Sequence, residues 1–299
     1  MTLKQLEAFY WAATCRSFAV AANRLSISVS SLSKRIAELE ASIGSALFSR
    51  DARSATLTPL GEQLIPHAKD LLRSADQFIN RASNSRALTG RCRFGVGELT
   101  SLTWMPKLIE DIQAAHPKLS IEPFVGVGEV VELSLIEGEL DFAIIAGPSS
   151  RPFIASSMIG QAEFVWVCAA RFSPLPATLW PDDLPDLTLI TLPHSSGTVR
   201  MLDEWLTQHA VSPGRTLNCN SWGAIAGLLL QGLGVGFLPT EWARILVDRG
   251  QLVLLETFPP LAPLRYSFQW RRDDTRPLLG HMRELAARNI EFHAPRSML

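Results

Sequence analysis

SFAVAANRLSISVSSLSKRIAELEASIG, residues 17–44, decides the fold. Ser17 caps a helix over 18–25, in which Ala21 and Ala22 are small enough for close helix packing. After the brief turn Ser26-Ile27, Ser28 caps a further helix that ends at Gly44, a residue suited to a left-handed C-terminal cap. Leu32, Ile36, Leu39 and Ile43 recur at spacings of four, three and four, so they face inward. The opposite face carries Val29, Ser30, Ser33, Lys34 and Ala37. Upstream, Thr2 and Gln5 form a capping box for a first helix with the apolar stripe Leu3, Leu6, Tyr10 and Ala13.

A helix whose first turn is stripped of bulk can approach base edges. Its hydroxyls, its free backbone N–H groups and the neighbouring Lys34 and Arg35 can then take phosphates. Two helices joined by a tight turn, the second with this surface, have the sequence form of a helix-turn-helix. Downstream, Leu47-Phe48-Ser49-Arg50 and Ala55-Thr56-Leu57 bracket the polar loop 51–54 as a β-hairpin wing, with Arg50 and Arg53 where a wing meets a DNA backbone. The same pattern also fits a plain three-helix packing unit with a solvated serine face.

Charge distribution bears on this choice. The 299 residues carry a formal net charge of −1, which by itself argues against a nucleic-acid partner. Residues 1–90, however, hold eleven Lys and Arg against seven Asp and Glu, and the remainder seventeen against twenty-two. A +4 segment is thus joined to a −5 body, the arrangement of a nucleic-acid module fused to another domain, although +4 over such a length also occurs on an ordinary solvated face.

Beyond the wing, Thr58 can cap and Pro59 suits the first helical position. Leu64, Ala68, Leu71, Ala75, Phe78 and Ala82 then form a heptad seam. About 28 residues of helix would be roughly 40 Å long. A seam of that length needs a partner chain or the protein's own body, and Pro66 either kinks the helix or marks its true start.

From about residue 90 the pattern is α/β. Strands are predicted over 91–96, 120–125 and 141–145, with helices over 101–116 and 130–137 between them, an order that implies a parallel sheet. A second unit follows: strands over 164–169, 187–192 and 216–219, helices over 199–209 and 224–231, and a strand over 235–238. A strand over 266–271 and a helix over 277–289 close the chain. Two such lobes leave a cleft for a small molecule at the carboxyl ends of their strands. The charge-free stretch 216–240 is long enough to span a bilayer, but its five glycines, Asn218, Asn220, Gln231 and Pro239 fit a buried helix, turn and strand better.

Other classes fare worse. Cys15, Cys92, Cys168 and Cys219 are far apart and form no CxxC, so neither a disulfide scaffold nor a zinc site is expected; nothing singles out one as a redox sensor. Gly232, Gly234 and Gly236 lie between a helix and a strand, the reverse of a dinucleotide-binding turn. His194-Ser195 has no evident acidic orienter and no nucleophile elbow. No metal, no cofactor and no catalysis are expected. The charged N-terminus lacks the apolar run of a signal peptide, so a cytoplasmic protein is expected.

Ser17-Phe18, Ala21-Ala22, Leu25, Ser33, Ile36, Leu39-Glu40, Gly44, Leu47-Phe48, Arg50, Arg53, Leu57-Thr58 and Gly61 together resemble the winged helix-turn-helix signature of LysR-type transcriptional regulators. The body is similar to the two-lobed, periplasmic-binding-protein-like effector domain of that family at Phe94-Gly95, Met105-Pro106, Glu137-Gly138-Glu139-Leu140-Asp141, and Gly232 through Pro239. The resemblance implies a winged helix-turn-helix over 1–58, a linker and dimerisation helix over 59–88, and an α/β effector domain over 89–299. In that domain lobe one spans about 89–161 and 266–299, and lobe two about 162–265.

It further implies DNA contacts from Ser28, Val29, Ser30, Ser33, Lys34, Arg35, Arg50 and Arg53, and dimerisation through Leu64, Leu71 and Phe78, giving a homodimer or tetramer on double-stranded DNA. The implied effector segments are Glu98, Leu99, Thr100 and Ser101; Val127 and Gly128; Ala146 and Gly147; His194 and Ser195; and Ser221 and Trp222. Three positions depart from the family. Val29 replaces the usual base-reading Gln and can touch a thymine methyl but not bond adenine bidentately. Gly128 stands where a Ser or Thr often helps hold a carboxylate, and Glu98 adds a negative charge beside it. Trp222 suits either stacking on a ligand or the core.

Overall fold

Three capped helices open the chain. Leu3–Thr14 (α1) starts at the expected capping box, Thr2 Oγ1 accepting the Gln5 N–H and the Gln5 side chain accepting the Thr2 N–H at 2.8 Å. Phe18–Arg24 (α2) is capped by Ser17, and Val29–Ile43 (α3) by Ser28, with Gly44 in the left-handed region at φ 81°. Leu6, Phe9, Leu32, Ile36 and Leu39 form their common core. Ile43, in the last turn of α3, does not join it and is 39% exposed.

The computed structural model describes residues 1–15, 17–49, 56–82, 88–172 and 178–292. Arg50, Arg53 and the wing loop 51–54 lie outside that set. The base of the wing is within it: Phe48 pairs antiparallel with Leu57, and the Ser49 N–H donates to the Thr56 carbonyl at 2.8 Å. Glu40 ties α3 to the wing, its Oε1 accepting the N–H groups of Leu47 at 2.7 Å and Phe48 at 3.1 Å. Pro59–Ala82 (α4) follows for 24 residues and runs through Pro66 without a break.

The body is two mixed sheets. Thr89–Val96 (β1), Glu98–Leu102 (α5), Met105–Ala115 (α6), Lys118–Val125 (β2), Gly128–Ile136 (α7), Phe142–Ala146 (β3) and Ile154–Ala162 (β4) build lobe one. The chain crosses to Phe164–Ala169 (β5), Thr188–Thr191 (β6), Val199–Gln208 (α8), Arg215–Asn218 (β7), Trp222–Leu230 (α9), Val235–Pro239 (β8), Thr240–Asp248 (α10) and Leu252–Leu255 (β9). It returns through Leu264–Arg271 (β10) and ends in Pro277–Asn289 (α11). The sheet orders are β2-β1-β3-β10-β4 and β7-β6-β8-β5-β9.

Three expectations are corrected. The parallel order expected of β1, β2 and β3 holds, but β5, expected to open a second such unit, runs antiparallel to β8 and β9, as β10 does to β3 and β4. The strand that receives each lobe crossing, β5 or β10, runs against the other strands of its sheet. The helix expected over 101–116 is two helices, because Pro106 lacks an N–H and its ring excludes a carbonyl four residues back, so it sits in the first turn of α6. β4, α10 and β9 were not expected at all. The charge-free stretch 216–240 is β7, α9, a turn and β8, and among the described residues no helix is long and apolar enough to cross a membrane.

The glycine run before β8 is structural. Gly232 makes the turn at φ 69°, and a Cβ on Gly234 or Gly236 would lie 2.1 or 2.6 Å from the carbonyl oxygens of Thr188 and Ile190. Glycine therefore lets β8 pair closely with β6.

Candidate functional site

The outward face of α3 begins at its cap. Ser28 Oγ accepts the Ser31 N–H at 3.1 Å and lies 2.9 Å from Ser30 Oγ, so the first turn presents hydroxyls. Val29 is 46% exposed, Ser30, Ser33 and Lys34 are exposed, and Arg35 is half-buried; the first turn carries no acidic residue. A free helix N-terminus with hydroxyls and a following Lys–Arg pair is a surface that attracts phosphate.

This module is fastened to lobe one through charges removed from water. Arg24, at the end of α2, is 5% exposed and pairs with Asp141 and Asp274, each at 3.0 Å. It also donates to the Gly138 carbonyl at 2.7 Å and stacks over Trp11 at 3.9 Å. Arg276 completes the cluster by pairing with the same two carboxylates. Burial pushes the Asp274 carboxyl up, but Arg276 and Arg24 outweigh it and hold it below the usual carboxylate value. Beside them the Tyr10 hydroxyl donates to the Asp273 carbonyl at 2.8 Å. Gly138, at φ 79°, lies so near Cys15 that an added Cβ would be 2.6 Å from its sulfur. Sequence alone does not reveal this joint, since a lone Arg at a helix end reads as a solvated cap.

On α4 the seam divides. Leu64 and buried Ala68 pack on the helix-turn-helix core, whereas Leu71 is 47% and Phe78 75% exposed.

Between the lobes lies an inner cavity of about 330 Å³. Glu98, Leu99, Val127, Gly128, Ala146 and Trp222 line it, joined by Asn220, Thr198 and Tyr266, which sequence reading missed. Tyr266 sits where β10 re-enters lobe one, a position visible only once the sheet is assembled; burial pushes its phenol up and the Thr198 hydrogen bond opposes this. Glu98 spans the cleft: its carboxylate accepts Ser221 Oγ–H at 3.0 Å and the Trp222 N–H at 2.7 Å. The Trp222 ring is 3% exposed and packs among Phe164, Phe237 and Trp242, which is the core alternative.

Several expected residues point elsewhere. Thr100 is buried and Ser101 Oγ donates to the Glu98 carbonyl at 2.7 Å. His194 and Ser195 line a second, polar cavity of about 340 Å³ at the mouth, with Arg200, Glu129 and Gln269. Gly147, at φ 76°, is not among the residues lining either cavity; its carbonyl accepts a hydrogen bond from Gln269 Nε2 at 3.0 Å. His194 does have an acidic neighbour, Asp203 at 3.5 Å, but it is 82% exposed and such a pair is screened by water. Among the described residues, no cluster of three or more His, Cys, Asp or Glu could hold a metal ion.

A phosphate-attracting helix on a winged module, mounted on two α/β lobes that enclose a cleft, defines a ligand-controlled regulator class. Comparison with known proteins agrees. Residues 3–62 match the model of bacterial regulatory helix-turn-helix proteins of the lysR family, and residues 85–290 match that of the LysR substrate binding domain. The chain is 30% identical to a probable hydrogen peroxide-inducible genes activator of Mycobacterium avium, over 95% of this chain and 94% of the relative. It is 26% identical to the transcriptional activator IlvY of Salmonella typhimurium, over 99% and 96%. Among solved structures, full-length OxyR from Pseudomonas aeruginosa superposes with a TM-score of 0.66 at 23% identity, covering 99% of this chain and 97% of that one. The chain belongs to the LysR family of transcriptional regulators, with a helix-turn-helix and a two-lobed effector-binding domain.

Proposed function

We propose that this regulator binds double-stranded operator DNA as a homodimer, itself able to pair into a tetramer, and that a small molecule held between the lobes sets the geometry of the bound assembly. Ser28, Val29, Ser30, Ser33, Lys34 and Arg35 approach the major groove, and Arg50 and Arg53 the flanking backbone. The boundaries are those of the sequence reading: reader 1–58, linker 59–88, effector domain 89–299. The protein works in the cytoplasm, without a cofactor, and by binding instead of catalysis. The reading rests above all on the first turn of α3, exposed, serine-lined and free of acidic groups.

A thiol sensor at Cys15, Cys92 or Cys168 is not favoured, although one relative is a probable hydrogen peroxide-inducible genes activator. Cys15, Cys92 and Cys168 are buried, and burial pushes each thiol up, Cys168 to about 11, away from the reactive thiolate.

Fluorescence anisotropy with DNA from upstream of the regulator's own gene tests the reading. Binding should weaken steeply with salt and vanish when residues 1–58 are removed. Ser33→Glu should reduce it at least about a hundredfold, the order of one lost contact plus phosphate repulsion, with circular dichroism unchanged. Wild-type affinity in that variant would remove α3 from the interface.

A further inference from the structure

The N-terminus of α9 faces lobe one with free N–H groups, and the group bound there belongs to the protein. Glu98, at the start of α5 in the opposite lobe, places one carboxylate oxygen 2.7 Å from the Trp222 nitrogen and the other 3.0 Å from Ser221 Oγ. Two donors converge on two oxygens, the geometry with which a helix terminus receives an anionic ligand. Leu99, the next residue, is buried in the core cluster of lobe two, so the bridge sits on a closed contact between the lobes.

The cations of this region, Arg151 and Arg200, line the outer polar cavity and not the inner one. Among the described residues lining the inner cavity Glu98 is the one Asp, Glu, Lys or Arg, and Val125, Val127, Ile145 and Leu192 give it an apolar wall beside the polar Ser196, Thr198, Asn220 and Tyr266. An incoming carboxylate would meet the Glu98 carboxylate in a confined cleft and find the helix terminus already satisfied.

We propose, resting on the cleft as the effector site, that Glu98 is a built-in anion that holds the lobes together across the N-terminus of α9, and that the cleft in consequence selects an uncharged or cationic effector with an apolar body over an anionic one. A donor-headed ligand can add a bond to the Glu98 carboxylate; an anionic one must displace it.

Thermal-shift titration of the full-length protein with sodium acetate and sodium benzoate, against sodium chloride at equal ionic strength, tests this. Wild type should respond to neither carboxylate beyond chloride. Glu98→Ala, with its helix terminus vacated, should be less stable and should bind both at least about tenfold more tightly than wild type, the stability being restored as they fill the site. Glu98→Gln keeps the size and one acceptor while removing the charge; it should shift in the same direction by less, and it serves if the alanine variant does not fold. Wild type binding either carboxylate as tightly as the variant, or both variants responding no more than to chloride, would overturn the proposal. Operator binding by the wild type, read in parallel, keeps the two readings apart: its absence would remove the DNA assignment and leave the cleft result standing.

Discussion

Arg24 carries more of the assembly than its position at a helix end suggests. Its guanidinium is shared between two carboxylates and a tryptophan face inside the joint of reader and lobe one. Arg24→Ala would leave Asp141 and Asp274 buried with Arg276 alone, and should cost roughly 3–5 kcal/mol in chemical denaturation. The pH dependence follows from Asp274, whose folded value is held below its unfolded one. Its contribution is present above the unfolded value of about 4 and disappears as pH falls through the folded value. Asp274→Asn should therefore lose stability at neutral pH and flatten the acid limb of a stability profile; an unchanged acid limb would remove Asp274 from that role. At this scale the sequence is uneven. Capping residues and Gly44 are legible because their task is local, whereas Arg24 and Glu98 are defined by partners more than a hundred residues away.

Elements with their own periodicity are the ones legible in sequence. α1, α2, α3, α11 and the first lobe's parallel strands follow from spacing and caps, and Pro277–Asn289 matches its expected bounds. β4 escapes because it is an edge strand of mixed burial, held mainly by pairing with β10, which arrives from beyond the second lobe. The linker helix shows the same limit: its seam is visible as a repeat, but only the fold shows that Leu64 and Ala68 serve the reader's core while Leu71 and Phe78 are left over. The exposed half is the part suited to a second chain. Leu71→Asp should give monomers in sedimentation velocity with the far-ultraviolet spectrum kept, since a residue 47% exposed bears little of the fold. A dimer of unaltered affinity would place the interface elsewhere.

At the scale of the molecule, net charge misleads and its placement informs: the basic segment is the reader, and the acidic body encloses a cleft whose inner charge is Glu98. The family and the two-lobed fold were legible, and several segments expected at the cleft line its cavities. The joint between reader and lobe one was not: Gly138 and Asp141 stand in a family-like stretch, but Arg24 and Asp274, which complete it, lie more than a hundred residues away in sequence. The joint fastens the helix-turn-helix module to lobe one through Arg24, Asp141 and Asp274. The central claim is that two such helices read DNA together. Hydroxyl-radical footprinting of the full-length protein on its upstream DNA measures this most directly. Two protected half-sites related by a dyad, separated by whole helical turns of about 10 base pairs and lost together in Leu71→Asp, are the predicted result. A single protected site unaffected by that substitution, or protection no different from random DNA, would contradict it.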